Sequence, residues 1–186
     1  MQIRSVYYFF MVIIICSFQF LFASPYPGTG TSLLISGQKN LLFSKEGFSL
    51  HSEGTQWKIT PVPSDRTHII ALYEIPLIEK DHVSARMTVR LDYIPPNKSL
   101  TRYIKAGLKD YGYFGIEIKK TKKTKINNFN VFQIDSLNMK KQIYLRQFVF
   151  VHQRKAVFLT CSTPQSLFDG LQEECNRLAK NFNWTL

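Results

Sequence analysis

The residues able to do chemistry are few and scattered along the chain. Four histidines stand at His51, His68, His82 and His152, with no i,i+4 pair and no His-x-His spacing. Paired metal ligands on one helix or strand face need such spacings, so each histidine reads as a surface or turn residue. The chain has no Gly-x-Ser-x-Gly, no Cys-x-x-Cys and no His-Glu-x-x-His. The local signatures of serine hydrolysis, dithiol exchange and zinc peptidase chemistry are therefore missing. Glu79/Asp81 and Glu173/Glu174 are close in sequence, but both pairs read as polar and solvated. Gly28-Thr-Gly30 follows no strand and lacks both a third glycine and a Gly-Lys-Ser/Thr ending, so it does not read as a phosphate loop. No catalytic, metal or cofactor residue is expected. A site assembled from distant residues would leave no such trace, so a secreted hydrolase with a dispersed active site stands as the alternative function.

Two features could carry a role without catalysis. One is Lys119-Lys-Thr-Lys-Lys-Thr-Lys125, five lysines in seven positions. As a strand it sends Lys120 and Lys122 one way and Lys119, Lys123 and Lys125 the other. Both faces being polar, this segment is expected to project beyond the core. It reads either as a protected strand edge or as an arm that binds anionic headgroups or a polyanionic glycan. Lysines without arginines or interleaved aromatics do not suit sequence-specific nucleic-acid reading.

The other is a pair of cysteines, Cys161 and Cys175, both on apolar faces that folding would bring together. With a helix starting at Thr163, Cys175 lies about 18 Å along its axis, at 1.5 Å per residue. Cys161 lies only about 7 Å before Thr163 along the strand. A disulfide needs Cα atoms within about 7 Å, so a strictly antiparallel helix would keep them apart; a tilted or late-starting one would not. The residues leave a bridge and two buried thiols both open.

The elements that must hold these residues centre on Ile143–Trp184. Ile143, Leu145, Val149 and Val151 alternate with Tyr144, Phe148 and Phe150, then Val157, Leu159 and Cys161 with Ala156 and Phe158. Apolar residues on both faces predict two inner strands of a sheet covered on both sides. A turn at Gln153-Arg154-Lys155 joins them. Thr163 and Pro164 are placed to start a helix. Leu167, Phe168, Leu171, Cys175, Leu178, Ala179 and Phe182 then recur at helical spacing.

Upstream, Leu41–Phe43, Gly47–Leu50, His68–Ile75 and Ala85–Ile94 read as strands. Ser99 is placed to cap a helix with Leu100, Tyr103, Ile104, Leu108 and Tyr111 on one face and Gly112 as its stop. Asn127-Asn128 tolerates the positive φ of a tight hairpin into a strand from Phe129 to Leu137.

Arg4 precedes an apolar run from Val6 to Phe22, and Ala23 offers a small residue for cleavage before Ser24. Residues 1–23 are expected to be a secretory signal, with retention as a short anchor the alternative. Ile15 before Cys16 does not fit a lipidation box. Residues 24–40 read as a flexible leader and 41–186 as a single domain. The expected location is extracytoplasmic, periplasmic or secreted, where thiols can be oxidised. With 24 Lys and Arg against 13 Asp and Glu, the formal charge is +11, which favours anionic surroundings.

The order of elements, with Phe48 and Trp57, Ile126-Asn-Asn-Phe129, Val157-Phe-Leu-Thr-x-Ser162, Phe168 and the closing Asn181-Phe-x-Trp184, resembles the PsbP-like superfamily, including secreted bacterial proteins of the DcrB type. The resemblance covers roughly Phe43 to Trp184 and departs at Asn128, where glycine is usual. It implies an α+β fold, an antiparallel β-sheet flanked by helices in an α/β/α sandwich. It also implies a non-catalytic binding or assembly factor, without cofactors, engaging a protein or anionic envelope partner with peripheral membrane contact open. It carries no contact residues over.

Overall fold

The computed structural model describes residues 41–76 and 83–185. The expected signal, anchor and leader, with Glu79, Asp81 and His82, lie outside the described residues. In chain order the strands are β1 (Leu41–Ser44), β2 (Phe48–His51), β3 (Lys58–Thr60), β4 (Ala71–Pro76) and β5 (Val83–Tyr93). Helix α1 (Leu100–Lys109) and a 3-10 turn (Gly112–Phe114) follow, then β6 (Ile116–Ile126), β7 (Phe129–Asn138), β8 (Ile143–His152) and β9 (Lys155–Pro164). A second 3-10 turn (Gln165–Leu167), helix α2 (Phe168–Lys180) and β10 (Phe182–Trp184) are the last of the described elements.

Antiparallel pairing builds a seven-stranded sheet in the order β3-β4-β5-β9-β8-β7-β6, and a three-stranded sheet in the order β1-β2-β10. The apolar hairpin β8–β9 lies inside the large sheet, with register Ile143↔Pro164 through His152↔Lys155. Its alternation divides the core as read from the sequence. Phe148, Phe150, Val157, Leu159 and Cys161 pack with Cys175, Leu178 and Ala179 of α2 and with Phe48, Phe182 and Trp184 of the small sheet. On the other face Val149, Ala156 and Phe158 pack with Ile104 of α1 and Ile134.

The local signals for α1 and the β6–β7 turn hold. The Ser99 side chain accepts from Arg102 N at 3.3 Å, relieving one unpaired amide of the first turn. Asn127 and Asn128 take φ 49° and 67°. The stop after α1 is not Gly112, which enters the 3-10 turn; Gly115, at φ 68°, closes that turn in the left-handed region. Upstream, His68 lies in a turn and the strand begins only at Ala71. Strand β3, three residues with no alternation to mark it, was not foreseen.

Helix α2 departs more. Thr163 does not cap it: it is buried within β9 opposite Tyr144, and Gln165 N extends the ladder to Gln142 O at 2.9 Å. The helix starts only at Phe168, and Phe182, read as its last apolar position, belongs instead to β10, paired with Leu50 of β2. The lysine run does not project as an arm. It is paired along β7 from Ile116↔Asn138 to Ile126↔Phe129, because alternate partners on β7 are buried and hold it flush with the sheet.

Candidate functional site

Among the described residues strand β6 ends the sheet order, with no further strand along the free side of its backbone. Lys119, Lys120, Lys122, Lys123 and Lys125 are all exposed there. Lys120 and Lys122 stand opposite Asp135 and Gln133 on the α2 face, and Lys123 stands opposite Phe132 on the α1 face. Lys119 pairs with Glu117 at 2.6 Å, and Lys123 Nζ sits 5.3 Å from the Phe132 ring centroid. Lys120, Lys122 and Lys125 form no ion pair among the described residues. A register shift between Ile118 and Lys120 marks a bulge, which with the lysines also guards the edge against pairing with another chain.

Asp135 does not neutralise that edge, because its carboxylate is already engaged. Arg146 donates Nε to Oδ1 at 2.8 Å and Nη2 to Oδ2 at 3.0 Å, and Gln133 Nε2 donates to both oxygens at 3.3 and 3.2 Å. Arg146 Nη1 also reaches Asn176 Oδ1 at 3.2 Å and Gln172 Oε1 at 3.5 Å, and its guanidinium lies 5.0 Å from the centre of the Phe168 ring. A buried ion pair satisfied on this many sides is a structural brace between β7, β8 and α2.

Glu174 corrects the reading of Glu173/Glu174 as a solvated pair. Glu173 is exposed, but Glu174 is buried, accepting from Gln56 N at 3.1 Å and from Arg177 Nη1 at 2.7 Å. Trp57 Nε1 donates to the Glu174 carbonyl at 2.9 Å.

A second polar cluster underlies α1. Tyr103 Oη donates to Asp92 Oδ2 at 2.6 Å and Arg90 Nη2 donates to the same oxygen at 2.9 Å, with the Arg90 guanidinium 4.4 Å from the centre of the Phe158 ring. Burial first, and the Asp92 carboxylate next, push the Tyr103 hydroxyl well above its usual range, so it stays a neutral donor. A cleft of about 300 Å³ opens here, lined among others by Arg90, Tyr103, Asp110, Tyr111 and Gln147. Among the described residues its lining includes no histidine.

The remaining histidines are dispersed. His68 is exposed, His51 is half-buried on β2, and the His152 ring lies 5.6 Å from Trp184. Among the described residues no group of three His, Cys, Asp or Glu side chains could hold a metal ion. No helix of the described residues is long and apolar enough to cross a membrane. Cys161 and Cys175 are joined as a disulfide, with Cα atoms 6.0 Å apart. The late start of α2 brings Cys175 back over the end of β9, which resolves the distance argument in favour of the bridge.

An antiparallel sheet with α1 on one face and α2 plus a small sheet on the other defines an α+β sandwich. The fold is PsbP-like. The chain is similar in structure to cyanobacterial PsbP (CyanoP) from Synechocystis sp. PCC 6803, at TM-score 0.56 and 13% identity over 80% of this chain and 95% of that one. It is also similar to LpqN, involved in cell envelope biogenesis of Mycobacterium tuberculosis, at TM-score 0.59 and 10% identity over 75% and 83% of the two chains. PA94 from Pseudomonas aeruginosa gives TM-score 0.53 and 11% identity over 67% and 94%. No protein-family model matches the chain, and neither does any curated protein.

Proposed function

We propose that this protein is a non-catalytic, extracytoplasmic binding or assembly factor that engages an anionic envelope partner through β6. The observation that carries the reading is an exposed edge strand with five lysines, beside a carboxylate already committed to Arg146. Of these, Lys120, Lys122 and Lys125 have neither an ion pair nor a ring contact among the described residues. Folding does not need that concentration of charge, and a field of one sign attracts partners of the other. The bridge between Cys161 and Cys175 fits an oxidising compartment. LpqN, which shares the fold, is described as involved in cell envelope biogenesis. The rival, a hydrolase with a dispersed site, needs a base poised against a nucleophile. Among the described residues, the cleft beneath α1 is lined by Asp110 and by no histidine.

Replacing Lys120, Lys122 and Lys125 together by glutamine tests the reading. Each lysine near an anionic surface contributes about 1 kcal/mol. The triple variant should therefore lose most low-salt binding to a soluble polyanion such as dextran sulfate. Its melting temperature should stay nearly constant, since solvated positions shift stability by about 0.5 kcal/mol or less each. Equal binding by the variant and the parent would leave the lysines as edge protection alone.

A further inference from the structure

The 3-10 turn between α1 and β6 holds its aromatic side chains in solvent. Tyr113 is 88% exposed and Phe114 67%. The turn is not loose: Tyr113 N donates to Asp110 O, Phe114 N to Tyr111 O, Gly115 N to Gly112 O and Ile116 N to Tyr111 O, at 2.9 to 3.2 Å. Tyr111, just before it, is tucked inward with its hydroxyl on Gln147. A hydrogen-bonded frame thus presents two aromatic rings that the core does not use.

The rings are not isolated. Met139 N donates to Gly115 O at 3.0 Å, which brings Met139, 49% exposed, to the same end of the sheet. Ile118, 38% exposed, lies two residues into β6 from Ile116. Tyr93, another exposed aromatic, is at the opposite end with its hydroxyl on Glu46. Lysines flank the apolar tip, where Asp110 and Glu117 are also exposed and Glu117 is paired with Lys119. Lys140 and Lys141 follow Met139, Lys109 ends α1, and all three are exposed. The Lys140 stem lies 3.5 Å from where a Cβ on Gly115 would stand.

We infer that this tip, Tyr113-Phe114 with Ile118 and Met139, seats in the headgroup region of an anionic lipid bilayer, with Lys109, Lys140 and Lys141 on the phosphates. Charge complementarity selects this occupant: an apolar centre flanked by three lysines, with Glu117 already paired to Lys119, matches a surface that is negative outside and apolar beneath. Tyrosine suits that boundary because its ring and hydroxyl meet different media, and phenylalanine adds a wholly apolar ring to the buried side. The inference deepens the proposed reading, since it rests on an anionic envelope partner and names it as lipid. It also differs in geometry. Lys125 lies nine residues beyond Ile116, about 30 Å along an extended strand, several screening lengths of about 8 Å from a surface met by the tip.

The test is sedimentation with phosphatidylcholine vesicles with and without phosphatidylglycerol, at low and high salt. The wild type should bind the anionic vesicles and keep part of that binding at high salt. Tyr113→Ser with Phe114→Ser should lower partitioning about tenfold or more, given what burying even one such ring is worth, with an unchanged melting temperature. In a separate Phe114→Trp variant, tryptophan emission should shift to the blue on binding. If the serine variant sediments as well as the wild type, or the emission of the bound Phe114→Trp variant stays where it is in buffer, the tip is not the contact. Binding to dextran sulfate but not to vesicles would overturn the tip and leave the proposed function standing. Binding to neither would end both.

Discussion

Tyr93 Oη donates to Glu46 Oε2 at 2.5 Å, and Lys155 Nζ reaches the same oxygen at 3.2 Å. The Tyr93 hydrogen bond leads in holding the Glu46 carboxyl below its usual 4.5; burial opposes it, and Lys155 and Lys45 add to the lowering. Burial, then Glu46, push the Tyr93 hydroxyl up from 10.0 to about 12. A lowered carboxyl contributes stability that is complete above its unfolded value and is lost as pH falls through the folded one. A raised hydroxyl contributes stability that is present below pH 10 and lost as pH rises toward 12. Tyr93→Phe removes the hydroxyl's contribution and the leading part of the carboxyl's, leaving the part owed to Lys155 and Lys45. It should lower stability at neutral pH by about 0.5–1 kcal/mol, the exposed setting limiting the effect. It should also flatten the loss of stability below about pH 4.5 and between pH 10 and 12, checked by urea unfolding across the pH range. Nothing in the sequence joins Glu46 to Tyr93, because the contact spans 47 residues. The burial of Glu174 was illegible for the same reason: Gln56 and Trp57, which meet it, lie more than a hundred residues upstream.

Helix α2 and strand β9 show how local signals lose to tertiary ones. Thr163-Pro164 has the chemistry of a helix start, yet the ladder to Tyr144 and Gln142 continues past it and delays the helix to Phe168. The amphipathic stripe itself was legible because it depends only on spacing: Phe168, Cys175, Leu178 and Ala179 are buried as read. So was the hairpin β8–β9, whose two-residue period assigns each apolar side chain to its face. The disulfide pins the two elements across a separation of 14 residues. Closing a loop of that size stabilises by about 3 kcal/mol through the unfolded chain. The Cys161→Ala, Cys175→Ala variant should lose about that much in denaturant unfolding. Mass spectrometry of the non-reduced parent should find two hydrogens fewer than the dithiol. A parent that alkylates readily in its native state would contradict the bridge.

The whole molecule is unevenly built about its large sheet. On one side α2, the small sheet and the disulfide share a core that includes Phe48, Phe150, Phe182 and Trp184, with Phe150 and Phe182 ring centroids 4.1 Å apart. On the other, α1 buries only Ile104, and the cleft of about 300 Å³ separates part of it from the strands. The sandwich class was legible because hairpins and helices announce themselves locally. The small sheet was only half legible, since β2–β10 joins two short strands from distant parts of the chain. The surface was legible as charge in β6 but not as the aromatic tip, although an aromatic pair between Gly112 and Gly115 was there to be noticed.

The uneven core sets an order of opening. Local stability follows buried apolar contact, so the sparsely anchored helix should open below the global unfolding energy. Native-state hydrogen exchange should show the amides of Ile104 to Leu108 exchanging well before those of Cys175 to Ala179 and of β8 and β9. Stiffening α1 itself should slow the first group without touching the second. Gly107 lies inside α1 and a Cβ there would meet nothing within 4 Å, so Gly107→Ala raises helix propensity without a clash and is the suitable change. Equal protection of both helices in the parent would mean that α1 is bound into the same cooperative unit as α2, despite its smaller buried face.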